Sequence, residues 1–226
     1  MLRTNYLAWI ALVMITVAAG VTTWMAKRES QVQAIEPSCW EEQWKKVEEA
    51  QKKGLPKTAV AELQPIIDGA VAEKHYPEAI KAIGKKIALE GVIEGNHPEE
   101  KIIRLEAAIA AAPAEMKPVM HAILANWYWH YFQQNRWRFM QRTMTTEAAS
   151  GKDLKTWSLP RIFQEIDKQF TAALSNEAQL QAIPIGNYAA LLQKGSIPDT
   201  YRPTLWDFLV FDALTFYTSP EQAAAR

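Results

Sequence analysis

The amino-acid sequence predicts an all-α protein: an irregular helical-hairpin, tetratricopeptide-like bundle or short solenoid, preceded by one N-terminal hydrophobic helix. Three observations lead there. Apolar residues recur every three or four positions in segment after segment, which places them on one face of a helix. Pro and Gly fall between those segments, where helices begin and end. No stretch keeps the period-two alternation of a half-buried strand, so a β-sandwich within this chain is not expected.

The first segment sets the compartment. Leu7 to Ala26 is an uncharged, mostly apolar run of twenty residues, preceded by Arg3 and followed by Lys27, Arg28 and Glu29. At a rise of about 1.5 Å per residue it spans roughly the 30 Å of a bilayer core, as a signal anchor does. Its short basic start and the small residues Ala18, Ala19 and Gly20 equally suit a cleaved signal peptide. Residues 1–28 are therefore read as one or the other, with membrane contact through residues 7–26. The polar stretch 29–39, which carries Pro37, reads as a linker. Residues 40–220 form the helical domain and 221–226 a tail.

Within that domain, Glu41 to Lys53 has Trp40, Trp44 and Val47 along one stripe and Glu48–Lys52 and Glu49–Lys53 at i,i+4, with Gly54 as its stop. Pro56 opens a second helix to about Glu73, with Val60, Leu63, Ile67 and Val71 as its apolar stripe and a kink expected at Pro65. Pro77 and Glu78 open a third, on which Ile80, Ile83 and Ile87 share a face until Gly91 or Gly95. Pro98, Glu99 and Glu100 open a fourth with Ile102, Leu105 and Ile109. The starts Gly54-Leu55-Pro56-Lys57-Thr58-Ala59 and His75-Tyr76-Pro77-Glu78-Ala79-Ile80 look related. They lie 21 residues apart, short of the roughly 34 of a regular tetratricopeptide array.

Pro118 to about Thr143 reads as one long helix dense in aromatics: Trp127, Tyr128, Trp129, Tyr131, Phe132, Trp137 and Phe139. Rings on more than one face imply burial on several sides. Thr145 to Thr156 is a polar loop. Ser158 caps a helix whose Leu159, Ile162, Phe163, Ile166, Phe170, Ala173 and Leu174 follow the i, i+3, i+4, i+7 template. Residues 183–202 form an irregular connection with a short helix at Tyr188 to Gln193. Thr204-Leu205-Trp206-Asp207 has capping-box spacing and starts a helix with Leu205, Leu209 and Phe216 that Ser219-Pro220 ends.

Charge and cysteine content exclude several functions. Arg3, Lys27 and Arg28 are the only charges before residue 29, which leaves 22 basic against 25 acidic side chains beyond it. A slightly acidic domain without a basic cluster is a poor partner for nucleic acid. Cys39 is the sole cysteine, so no intrachain disulfide forms; its setting fits neither a lipidated residue nor a nucleophile, and it reads as a small buried or linker residue.

Four histidines occur, at 75, 97, 121 and 130. His121 and His130 lie roughly 180° apart on one helix and cannot chelate one ion together. The Trp127 to Phe139 run, with Gln133, Gln134, Asn135, Arg136 and Arg138, is conceivable as a stacking platform. Core packing is simpler, with Arg136 and Arg138 bonded to carboxylates or loop carbonyls. Asp207 and Asp212 are conceivable as a carboxylate pair, but a cap for Asp207 and a hydrogen-bonding role for Asp212 are simpler. No phosphate loop, Ser-His-Asp context, Cys-x-x-Cys or haem-attachment pattern is present. The sequence assigns no catalytic, cofactor-binding or metal-binding residue, no cofactor and no small-molecule substrate.

Three separated stretches resemble, in order, the N-terminal helical region of large bacterial alpha-2-macroglobulin-like envelope proteins. They are Trp44 to Val47 with Gly54-Leu55-Pro56-Lys57-Thr58-Ala59, then Tyr128-Trp129-His130-Tyr131-Phe132-Gln133-Gln134-Asn135-Arg136-Trp137, and Arg202-Pro203-Thr204-Leu205-Trp206-Asp207-Phe208-Leu209 followed by Ala213 to Tyr217. The resemblance implies a non-catalytic scaffold in the cell envelope, on the periplasmic or extracellular side, that leads a string of β-sandwiches entrapping proteases as an endopeptidase inhibitor. Its partner is a protease or the later macroglobulin domains. Cys39 stands in Ser38-Cys39-Trp40 and not in the Cys-Gly-Glu-Gln of a thioester, so no bait or thioester residue carries over. With the given sequence ending at Arg226, the expectation is a fragment or a stand-alone relative of the leading helical module. The rival reading is a helical-repeat adaptor that holds a peptide or protein in a concave groove. An enzyme working through Asp207 or His121 is the remaining alternative.

Overall fold

A computed structural model of the chain describes residues 40–95, 97–141, 153–192 and 198–224. The expected membrane segment Leu7–Ala26, the linker with Cys39, most of the 145–156 loop and the end of the tail lie outside the described residues. No described helix is long and apolar enough to cross a membrane. The described chain is helical, with an isolated bridge between Pro184 and Thr204 as its extended pairing.

The α-helices are α1 Glu41–Lys52, α2 Pro56–Ala72, α3 Tyr76–Ile93, α4 Pro98–Ala111, α5 Lys117–Gln134, α6 Arg136–Gln141, α7 Leu159–Ala173, α8 Glu177–Gln181, α9 Leu205–Tyr217 and α10 Pro220–Ala224. Five of them, α2, α3, α4, α5 and α7, carry Pro at their first or second position. There the missing N–H is one that no helical carbonyl would have met. Ser158 sits at the N-cap of α7 as expected but makes no side-chain capping bond; Thr204 and Asp207 form the full reciprocal box on α9.

The turns between the first three helices share one device. Gly54 and Lys74 both adopt left-handed φ, 68° and 61°. The following N–H then reaches back five residues, Leu55 to Ala50 O at 2.9 Å and His75 to Ala70 O at 2.8 Å, which satisfies end carbonyls as a Schellman cap does. This is the physical content of the likeness between the two helix starts. Lys74 carries the Cβ that this conformation disfavours by about 1–2 kcal/mol. Lys74→Gly is therefore expected to raise stability by about 1 kcal/mol in a denaturant titration, and a loss of stability would contradict the strain.

Successive helices pack antiparallel. Lys86 of α3 donates to Gln64 of α2 at 2.8 Å, Arg104 of α4 bridges Glu90 (2.6 Å) and Glu94 at the end of α3, and Tyr128 of α5 donates to Glu106 of α4 at 2.6 Å. α1 docks on α3 through Trp44, whose indole N–H donates to Glu78 while Lys81 lies 4.5 Å from its ring. The buried face of α2 is Ala59, Leu63, Ile66 and Ala70, one residue round from the expected Val60-Leu63-Ile67-Val71 stripe. Pro65 sits on the exposed side within an unbroken helix. On α4 the expected Ile102, Leu105 and Ile109 are all buried.

The second half of the domain is built on rings. Phe132, Phe163 and Phe216 lie within 4.9–5.7 Å of one another or of Trp129, with Phe139 and Phe170 at the edges of the cluster. α5 and α7 thereby lie antiparallel, His121 level with Gln169 and Tyr128 stacked on Trp157 at 5.7 Å. The expected single helix from Pro118 to Thr143 is two. Asn135 leaves the helix at φ −114°, ψ 17°, its side chain donating to the Tyr131 carbonyl at 2.9 Å; α6 starts afresh at Arg136, and its Trp137 is 67% exposed. The short helix expected at 188–193 is displaced: residues 185–188 form a 3₁₀ turn, and the helical turn lies earlier, in α8. Pro220 ends α9 and opens α10.

Candidate functional site

The antiparallel array of α3, α4 and α5 leaves a cleft of about 630 Å³, within the range of ligand sites. Ile102, Ile123 and Pro98 supply apolar floor, and the indole of Trp127 and the ring of Tyr131 form one wall. Asn126, His130 and Gln134 follow the same wall one turn apart, and Lys101 closes the opposite side. Among the described residues that line the cleft, Lys101 is the one whose side chain carries a permanent charge.

A bare backbone positions that lysine. Gly91 of α3 is buried, and a Cβ placed on it would meet Lys101 Cε at 2.6 Å, so the lysine stem lies across the glycine. The acids nearby are otherwise engaged: Glu90 and Glu94 hold Arg104, and Glu99 pairs with Lys155 at 3.2 Å. No ion pair to Lys101 exists among the described residues. The sequence carries a signal for this that periodicity reasoning passed over: His97, Pro98, Arg104 and Leu105, three and four residues away, include no acid.

The wall residues are held by their own bonds. His130 Nδ1 lies 2.7 Å from the Asn126 carbonyl; because a carbonyl only accepts, Nδ1 carries the hydrogen and Nε2 of the neutral ring is an acceptor. Both amide hydrogens of Asn126 are used, toward Ala122 O at 3.1 Å and Asp212 Oδ2 at 2.6 Å. Asp212 thus has the hydrogen-bonding role read from the sequence. Burial raises its pKa above the usual carboxylate range, and the bond from Asn126 and the nearby His130 only partly offset this. A raised native pKa means the folded chain binds this proton more tightly than the unfolded one. Its contribution to stability is complete below about pH 3.8 and declines as pH rises above it. The stability difference, wild type minus Asp212→Asn, should therefore fall between pH 4 and pH 7; a flat or rising difference would contradict the burial.

The other candidates are dispersed. His121 Nδ1 lies 2.6 Å from Gln169 Oε1, whose Nε2 donates to buried Glu165 at 2.7 Å, a chain on which Lys168 also converges. His75 lies 3.9 Å from Glu73 at the α2–α3 turn, and His97 precedes α4. Asp207 is used in the cap and does not meet Asp212. Arg136 pairs with Glu221 at 3.3 Å as expected, but Arg138 donates to the Tyr131 phenol at 2.7 Å, where a carboxylate or loop carbonyl was expected. Burial raises the Tyr128 pKa, as does its bond to Glu106. Among the described residues no three His, Cys, Asp or Glu gather as metal ligands.

Comparison with protein families, with curated proteins and with solved structures finds no match for this chain.

Proposed function

We propose that the chain is a non-catalytic helical scaffold, tethered to the membrane on its extracytoplasmic side, that leads an alpha-2-macroglobulin-like protease-trapping assembly. Its hairpins are tetratricopeptide-like in their short Pro-opened turns and antiparallel packing. The observation that carries this reading is how the three stretches resembling that family use their side chains. Trp44 fastens α1 to Glu78, Tyr128 and Phe132 fill the core, Thr204 and Asp207 cap α9, and Phe216 joins the ring cluster. All are structural tasks. Residues kept for packing and capping suit a module whose output is shape.

A second reading, an adaptor that holds a peptide or protein by itself, is favoured by the α3–α4–α5 cleft. Affinity capture of the full chain from envelope membranes, with stoichiometry by quantitative mass spectrometry, separates the two. The scaffold reading expects one equivalent of macroglobulin-type β-sandwiches, on the same polypeptide or a bound one. A stoichiometric partner without such domains supports the adaptor and overturns the scaffold.

A further inference from the structure

We propose that the α3–α4–α5 cleft binds the free C-terminal tail of a partner protein, with the terminal carboxylate on Lys101 and an apolar last side chain against Trp127 and Tyr131. The inference deepens the protein-holding reading, on which it rests.

Charge indicates which group the cleft takes. Lys101 projects from a half-buried stem over Gly91 and finds no ion pair among the described residues. The described lining residues include no carboxylate to neutralise it. An ammonium beside an apolar floor gains most from an anion that brings its own apolar group, because the floor excludes the water that would otherwise solvate both.

Geometry indicates that the anion ends a peptide. Asn126, His130 and Gln134 are four residues apart on α5, so their side chains repeat about every 6 Å. Alternate N–H groups of an extended chain repeat at about 6.6 Å. The Asn126 amide has both hydrogens engaged, so its Oδ1, and Nε2 of His130 in the neutral ring, are the atoms of these two side chains left to accept from an incoming backbone. Their span of about 12 Å accommodates roughly four extended residues.

Polarity fixes the direction. Glu106 is level with Tyr128 on antiparallel helices, which places Lys101, five residues earlier, at the Gln134 end of the row. Asp212, bonded to Asn126, lies at the other end. A tail that ends at Lys101 therefore places its carboxylate at the Gln134 end and runs back along the row toward Asn126.

The test uses the full chain in detergent and an array of tetrapeptides attached through their N-termini, randomised in sequence and presented as free acids and as C-terminal amides. Retention on free acids ending in Leu, Ile or Phe is expected, with amides weaker by about tenfold, the worth of one charge-assisted bond. Lys101→Met, which keeps the stem over Gly91 and removes the charge, should abolish the acid preference, and Lys101→Arg should restore it. Equal retention of acids and amides, no retention, or an acid preference that survives Lys101→Met overturns the proposal. Binding of laurate without retention on any peptide also overturns it and makes the cleft an acyl site. Failure here leaves the capture of macroglobulin-type domains unaffected, since that experiment reads partner identity and not the cleft.

Discussion

Replacing Phe132 with Ala is expected to lower the unfolding free energy by about 3–5 kcal/mol, among the largest effects any single side chain of this domain should show. Phe132 is fully buried. Its ring lies 5.3 Å from Trp129, 5.7 Å from Phe139 and 4.9 Å from Phe163, so it joins α5, α6 and α7. Removing it leaves a cavity lined by rigid rings, which cannot collapse onto the space as an aliphatic core would. Chemical denaturation monitored by circular dichroism measures the loss. A cost below about 1 kcal/mol would mean that the cluster is not the core it is taken to be.

Replacing Trp44 with Ala should cost about 3 kcal/mol and act locally. The indole is half-buried, and its N–H is the hydrogen-bond donor to Glu78, a carboxylate only 8% exposed. Truncation removes packing, releases Lys81 from the ring and leaves Glu78, among the described residues, with the lysine at 3.7 Å. Because α1 reaches the rest of the domain largely through Trp44, Val47 and Ala50, hydrogen exchange should show its amides losing protection while those of α5, α7 and α9 keep theirs. Trp44→Phe restores the ring but not the donor, and should recover about half of the loss. Uniform loss of protection across all helices would contradict the local role.

What was legible in the sequence was whatever is encoded locally. The stripe Ile102-Leu105-Ile109, the α7 template and the Thr204–Asp207 box each lie within one helix, and the structure reproduces them. The face of α2 was misplaced by one residue because its contact with α3 runs through small side chains. Ala59 and Ala70 of α2 and Ala79 and Ala82 of α3 are all fully buried, and alanines permit close approach without marking a stripe by bulk. The break after α5 carries neither Pro nor Gly. It arises from one Asn bonding back to the previous turn, which competes with the helix yet leaves no periodic signature. The cleft could not be read at all, since its walls come from three helices, and the contact of Gly91 with Lys101 appears only once α3 and α4 are packed.

The proposal common to both readings, that this helical domain serves by holding another protein, and its placement in the α3–α4–α5 cleft are tested most directly by photo-crosslinking in the intact envelope. A photoreactive residue is placed at Gln134 on the cleft rim and, as control, at exposed Gln164 on α7. The account predicts one discrete protein adduct from position 134 and none from position 164. Equal labelling from both positions, or lipid adducts alone from position 134, would contradict it.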